Sequence, residues 1–194
     1  MKTILLLIFL CISITLQAQF SRESSSIGAT FSGLGKNEAF FGESPSSSGK
    51  GYHSFGIIYI YPISSRFDLE VGIEYRNSSL HTNLVLVEEM GMRPYIDFSF
   101  IEILLTTRFN FWQHFFLNGG LLINFEIAEI NRLYNQSGIG AMLGVGAKYD
   151  FKSTPIGLFI NPYLRYRPFI PFSGRNLNLR TAEAGFRVGV VYNF

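Results

Sequence analysis

Residues 182–194, AEAGFRVGVVYNF, alternate without interruption. Ala182, Ala184, Phe186, Val188, Val190, Tyr192 and Phe194 form one set. Glu183, Gly185, Arg187, Gly189, Val191 and Asn193 form the other. The first set is apolar throughout, and the second holds both charges. Successive side chains of an extended strand point to opposite faces, so this pattern specifies a β-strand between two unlike surroundings. A helix would mix the two sets on every face.

The pattern recurs along the chain. Phe67, Leu69, Val71, Ile73 and Tyr75 oppose Asp68, Glu70, Gly72, Glu74 and Arg76. Ile101, Ile103, Leu105, Thr107 and Phe109 oppose Glu102, Leu104, Thr106 and Arg108. Phe115 to Phe125 sets Leu117, Leu121 and Ile123 against Asn118, Gly120 and Asn124, with Glu126 next on the polar side. Ile139, Ala141, Leu143, Val145, Ala147 and Tyr149 oppose glycines, Lys148 and Asp150. Leu158, Ile160, Leu164 and Tyr166 oppose Asn161, Tyr163, Arg165 and Arg167. Two earlier segments, 26–32 and 52–61, alternate less cleanly, the second because Ile58 and Ile60 lie on its other face. These readings predict eight strands and no helix.

The connections sort into two kinds. Residues 35–51, 77–94, 128–137 and 168–180 make long ones, and 62–66, 110–114 and 151–155 make short ones. Strict alternation of long and short connections between an even number of strands fits an all-β, eight-stranded antiparallel up-and-down transmembrane barrel, with short periplasmic turns and long external loops.

Energetics assign the faces. The charged face carries Asp68, Glu70, Glu74, Glu102, Glu126, Asp150 and Glu183 with Arg76, Arg108, Lys148, Arg165, Arg167 and Arg187. Each base on the lipid face near mid-membrane costs about 2–4 kcal/mol. Even half of these charges turned to lipid would exceed a net stability of about 5–15 kcal/mol. Turned inward, they nearly neutralise one another. The expectation is a closed lumen filled by ion pairs, in which Arg165, Arg167 and Arg187 reach across to Glu70, Glu74, Glu102 and Glu126. Two aromatic girdles are expected on the outer face. Tyr61, Phe67, Phe111, Trp112, Phe115, Tyr149, Phe151, Tyr192 and Phe194 mark the short-turn end. Tyr52, Phe55, Tyr75, Tyr95, Tyr134 and Tyr166 mark the other.

The first residues account for export. Lys2 precedes the apolar run ILLLIFLCISITL and a small residue, Ala18, the arrangement of a secretory signal peptide over 1–18. That run is too short to span a bilayer as a helix. The barrel domain is then 19–194, at the cell outer membrane of a Gram-negative envelope. Cys11, the chain's single cysteine, falls in the removed part. A net charge of +2 points to no nucleic-acid partner.

The closing strand resembles the β-signal by which the outer-membrane assembly machinery recognises its substrates, carried by Phe186, Val188, Val190, Tyr192 and the terminal Phe194. The stretch FIEILLTTRFNFWQHFFLNGGLLINFEI, followed by GIGAMLGVGAKYDF, is similar to the PorT-like outer-membrane β-barrel family. Strands of that family often read Tyr-Leu-Glu-Ile-Pro-Leu-Leu. Glu102 stands at the place of its Glu, and Leu104 at the place of its Pro. The resemblance covers residues 95–194. It implies an integral outer-membrane barrel in contact with lipid and lipopolysaccharide, acting as a structural or accessory protein with possible protein partners in a secretion or assembly complex.

Candidate chemistry outside the lumen is sparse. His53-Ser54, and His81 with Ser78, Ser79, Glu88 and Glu89, suggest the alternative of a Ser/His/Glu hydrolase acting on outer-leaflet lipid. Glu43, Glu88 and Glu89 are acids in polar loops, and the three histidines are too dispersed for a metal site. The reading adopted is of no enzyme, catalytic residue, cofactor or metal. Gly138, Gly140, Gly144 and Gly146 are expected to make room inside the barrel for Arg and Tyr side chains of neighbouring strands.

Overall fold

The computed structural model describes residues 24–41, 44–81, 95–127, 137–172 and 180–194. The expected signal peptide, Glu43, Glu88, Glu89 and Tyr134 lie outside them. Eight strands follow one another: β1 (Ser26–Phe41), β2 (Ser44–Pro62), β3 (Phe67–His81), β4 (Tyr95–Phe111), β5 (Phe115–Glu126), β6 (Gly138–Asp150), β7 (Ile156–Pro171) and β8 (Arg180–Asn193). Each pairs antiparallel with its neighbours in sequence, and β1 pairs with β8 to close the barrel. Closure is sealed at the last residue, where the Phe194 N–H donates to the Ser25 carbonyl at 2.9 Å. A closed barrel leaves no unpaired sheet edge, the condition for crossing hydrocarbon with strands.

The outward and inward sets fall as alternation predicts. Leu164 is 60% exposed and Leu143 55%, whereas Leu104 and Leu122 are fully buried. Outward Ile57, Ile73, Leu121, Val190 and their neighbours make an exposed apolar wall on every strand. Such a wall is a poor surface for water and a good one for lipid chains.

The strands run further than hydropathy suggests at the end opposite the short turns. The 35–51 connection is mostly strand: β1 continues to Phe41 and β2 begins at Ser44, with Glu38 opposite Ser48 and Ala39 opposite Ser47. Backbone pairing carries this hairpin, with Glu38, Ala39, Phe40 and Phe41 opposite Ser48, Ser47, Pro45 and Ser44. Ser- and Gly-rich sequence carries no apolar alternation, so periodicity is silent there. β3 runs on to His81 and β7 to Pro171, past the expected limits of 76 and 167.

At the short-turn end, Tyr61, Trp112, Phe115, Tyr149, Phe151, Tyr192 and Phe194 are exposed, and Phe67 and Phe111 half-buried. Rings there meet in series, Phe111 with Phe115 at 6.1 Å and Tyr149 with Phe151 at 5.2 Å between centroids. Trp112 holds a positive φ of 56° in the β4–β5 turn, a region costly for a bulky residue. At the opposite end, Phe55 and Tyr75 face outward, but Tyr52 does not. It is 6% exposed and points into the lumen, because it lies an even number of residues from Ser54, Ile58 and Ile60 on the inward set.

Candidate functional site

The lumen is where the chain concentrates chemistry. At the short-turn end, Ile58, Ile60, Phe116, Phe159 and Val191 pack into an apolar plug. All five occupy inward positions close to the ends of their strands. Space for the Phe116 ring comes from Gly146, where a Cβ would lie 2.7 Å from Phe116 Cε1. Beyond the plug, Tyr52, Leu104, Leu122, Met142 and Tyr163 form a second buried cluster.

Between and around these clusters runs a ladder of buried charges. Arg108 pairs with Glu70. Glu70 Oε1 also meets Arg187 Nη1 at 2.7 Å, and that nitrogen lies 3.8 Å from Glu74 Oε1. Arg165 Nη1 is 2.9 Å from Glu74 Oε2 and 3.0 Å from Glu102 Oε2. Arg167 pairs with both Glu102 and Glu183, and Glu183 with Arg76. Charge alternates at every step: Arg108, Glu70, Arg187, Glu74, Arg165, Glu102, Arg167, Glu183, Arg76. Asp68, also buried, accepts from Asn110 Nδ2 at 2.8 Å beside the foot of the ladder. Five bases are thereby matched by five acids.

Aromatic faces complete the surroundings of the guanidinium groups. Arg108 lies 4.4 Å from the Phe116 ring centre and 4.8 Å from that of Phe159. Arg76 sits 4.5 Å over Tyr52, and Arg165 4.4 Å over Tyr163. Such stacking offsets part of the desolvation cost that ion pairing alone does not recover. Arg187 Nη2 also donates to Asn161 Oδ1 at 3.1 Å.

The ladder unites Asp68, Glu70, Glu74, Arg76, Glu102, Arg108, Arg165, Arg167, Glu183 and Arg187 within one buried core. Glu126 and Lys148 lie at the rims and are half-buried, and Asp150 is exposed. Lys148 Nζ meets Asp150 Oδ1 at 2.9 Å and donates to Asn193 Oδ1 at 3.0 Å, making a cluster outside the plug. Glu126 closes β5 at the other end, where its backbone N–H donates to Ser137 Oγ at 3.0 Å. All three stand within two residues of a strand end, nearer the rims of the barrel than the ladder.

Tyr52 and Tyr163 are the luminal groups that alternation left unremarked. Inward parity marks both, and a hydroxyl among buried charges is the signal that would have singled them out. Among the glycines of β6, Gly140 makes room for Arg167 as expected, whereas Gly144 makes room for Asn118 and Asn161 and Gly146 for Phe116. Tyr52 instead fits against Gly185 of β8.

The hydrolase constellation does not form from His53 and Ser54. His53 is exposed on the outer face and contacts Phe55, with centroids 6.2 Å apart. Ser54 faces the lumen and donates to Glu74 Oε2 at 3.3 Å. Adjacent strand residues point to opposite sides, so this pair is separated by the wall itself. Ser78 is likewise inward, accepting from Asn37 Nδ2 at 2.7 Å. Among the described residues, no group of His, Cys, Asp and Glu is placed to hold a metal ion.

No protein-family model matches the chain, and no curated protein matches it. Solved structures do. The outer-membrane protein AlkL, determined in lipid bilayers, is 12% identical with a TM-score of 0.50, covering 92% of this chain and 93% of that one. OprG from Pseudomonas aeruginosa is 12% identical over 88% of this chain and 95% of that chain, with a TM-score of 0.49. Ail of Yersinia pestis, solved with a heparin analogue, is 14% identical over 88% of this chain and 98% of that chain, with a TM-score of 0.45. The AlkL likeness is one of fold, a small outer-membrane β-barrel, and the apolar outer wall and closed sheet are those of a chain that spans that membrane.

Proposed function

We propose that this outer-membrane barrel is a non-catalytic structural or accessory protein that works through its outer end and wall, not through its lumen. The observation that carries this reading is the ladder from Arg108 to Arg76, stacked above the plug of Ile58, Ile60, Phe116, Phe159 and Val191. An eight-stranded barrel has room inside for side chains alone. Here those side chains are five arginines and five acids, held by one another and by aromatic rings. Opening a water path would require separating several buried ion pairs, each costing about 3–5 kcal/mol to break.

Lipid and lipopolysaccharide are the partners of the outer wall in this proposal, and the assembly machinery is the partner of the closing strand. Membership of the PorT-like family, and with it a place in a larger secretion or assembly complex, belongs to the same proposal. Glu102 supports it: the residue at that family's Glu position is fully buried and joins two arginines of β7. Segments 37–41 and 168–172 carry aromatic residues at the end away from the short turns and are the surfaces proposed to meet a protein partner.

Planar-bilayer recording of the purified barrel tests the closed lumen. The expected record is flat, and steady large single-channel steps from the wild-type protein would refute it. Purification in mild detergent tests the accessory role through a stoichiometric partner.

A further inference from the structure

The first and last strands meet at the short-turn rim, where Ser26 of β1 stands opposite Asn193 of β8. This seam joins the two strands farthest apart in sequence. None of the ladder's residues lies on β1. Below its register shift, the luminal side of β1 is Ser26, Gly28, Thr30 and Ser32. These side chains are too short to reach the charges across the lumen, so the ladder does not fasten this part of β1 to the barrel.

A set of polar groups at the rim does. Ser26 Oγ donates to Asn193 Oδ1 at 2.6 Å, across the seam. Lys148 Nζ donates to the same oxygen at 3.0 Å. Asn193 Nδ2 donates to Asp150 Oδ1 at 3.0 Å, and Lys148 Nζ lies 2.9 Å from that carboxylate oxygen. An amide oxygen has two lone pairs, and here both are taken. One side chain thereby joins β1, β6 and β8. β7 runs between β6 and β8, with Gly157 opposite Asp150 on one side and Val191 on the other. A Cβ at Gly157 would collide with Asp150 Oδ1 and come within 3.1 Å of Lys148 Cε. Glycine at that point leaves the way clear for β6 to reach β8.

The apolar plug separates this cluster from the ladder. Ile60 is opposite Ser26, and Val191 is two residues before Asn193 on the same luminal side. The cluster therefore stands on the rim side of the plug and can open without parting any of the ladder's ion pairs. Strand ends are where sheets open first, because few contacts hold them. An opened seam at a membrane leaves backbone N–H and C=O groups without partners.

We infer that Ser26, Lys148, Asp150 and Asn193 form a latch that keeps the closing seam shut at its short-turn end, separately from the ladder that holds the lumen. The latch forms only when the first strand reaches the last, since Asn193 takes one partner from β1 and two from β6. The amide is required by its chemistry. Aspartate would lose the donor to Asp150 and set two carboxylates together, and a hydrocarbon side chain offers neither donor nor acceptor. The latch is independent of the assembly-signal proposal: an undiminished yield without Phe194 would remove that signal and leave the latch standing.

Hydrogen–deuterium exchange of the barrel refolded in detergent, read by mass spectrometry, tests it. Peptides covering 24–31 and 188–194 report the β1–β8 seam, and peptides covering 101–109 and 116–124 report the β4–β5 seam. Ser26→Ala removes one hydrogen bond and should speed exchange in the first pair of peptides about five-fold. Asn193→Leu removes the bonds to Ser26, Lys148 and Asp150 and should speed it further, with β4–β5 unchanged. Asn193→Asp, nearly the same in shape, should also speed it. Wild-type exchange in Asn193→Asp would show that packing and not hydrogen bonding holds the seam, and would overturn the latch. Unchanged exchange in Asn193→Leu overturns it directly. Equal acceleration of both seams, or a variant with no heat-modifiable barrel, would show a role in the whole fold and overturn a local one.

Discussion

Tyr163 on β7 and Tyr52 on β2 meet across the lumen with their hydroxyl oxygens 3.0 Å apart. Tyr163 also lies 2.6 Å from Glu183 Oε1. A carboxylate has no proton to give, so the Tyr163 O–H donates to Glu183 and its oxygen is left to accept from Tyr52. The two rings carry Arg76 and Arg165 on their faces. One hydroxyl thus ties the polar chain of β2 to the head of the charge ladder.

Tyr163→Phe removes that hydroxyl with little change of shape. Glu183 loses a donor and Tyr52 an acceptor, both within the barrel. The expected cost is about 1–3 kcal/mol. Urea unfolding in detergent micelles, followed by Trp112 fluorescence, measures it. A change below half of this range would show that the hydroxyl contributes no more than its packing.

Glu102→Ala should be far more damaging than Asp150→Ala. Glu102 is fully buried against Arg165 and Arg167, and each would retain only one carboxylate partner. Breaking a buried pair costs about 3–5 kcal/mol. Asp150 pairs with Lys148 at the rim, where its side chain is 40% exposed, and an exposed pair contributes about 0–1 kcal/mol. Similar midpoints for the two variants would contradict the burial of the ladder.

Gly146→Ala should destabilise the plug. Its Cβ would meet the Phe116 ring, which is already held by Arg108 and Phe159. Overpacking of this kind costs about 1–3 kcal/mol. Thermal melting of the folded form on gels should shift downward accordingly, while Gly119→Ala, whose Cβ would come no nearer than 3.3 Å to the Leu143 side chain, should shift it less.

Deletion of Phe194 should lower the yield of folded barrel in cells. Its backbone N–H closes the β1–β8 seam to Ser25, and its ring lies 6.5 Å from that of Tyr59. The fraction of heat-modifiable protein in outer-membrane preparations is the readout. An undiminished fraction would remove the assembly-signal role from the closing strand.

Protease shaving of intact cells should cut a tag placed within residues 173–179 and spare one placed within 112–114. Short turns lie on the periplasmic side of such barrels. Cleavage at 112–114 alone would invert the orientation.

Alternation is local, and what it determined is local. Each residue's side of the wall follows from its distance in sequence to its neighbours, so the sequence alone placed Glu70, Glu102, Arg165 and Arg187 inside and Leu143 and Leu164 outside. The short turns were legible for the same reason, since they interrupt the period. Three things were decided only by the tertiary structure. The pairing of 38–41 with 44–48 is a backbone pairing, which leaves no mark in hydropathy. The bulge before Lys36 reverses parity through a register shift against β8, a strand far away in sequence. The choice of ion-pair partner is also non-local. Arg165 stands opposite Glu183 in the β7–β8 register, yet its guanidinium extends to Glu74 and Glu102 on β3 and β4. Barrel closure brings those strands within reach of one long side chain, and a buried guanidinium takes the carboxylates that leave the fewest charges unmatched.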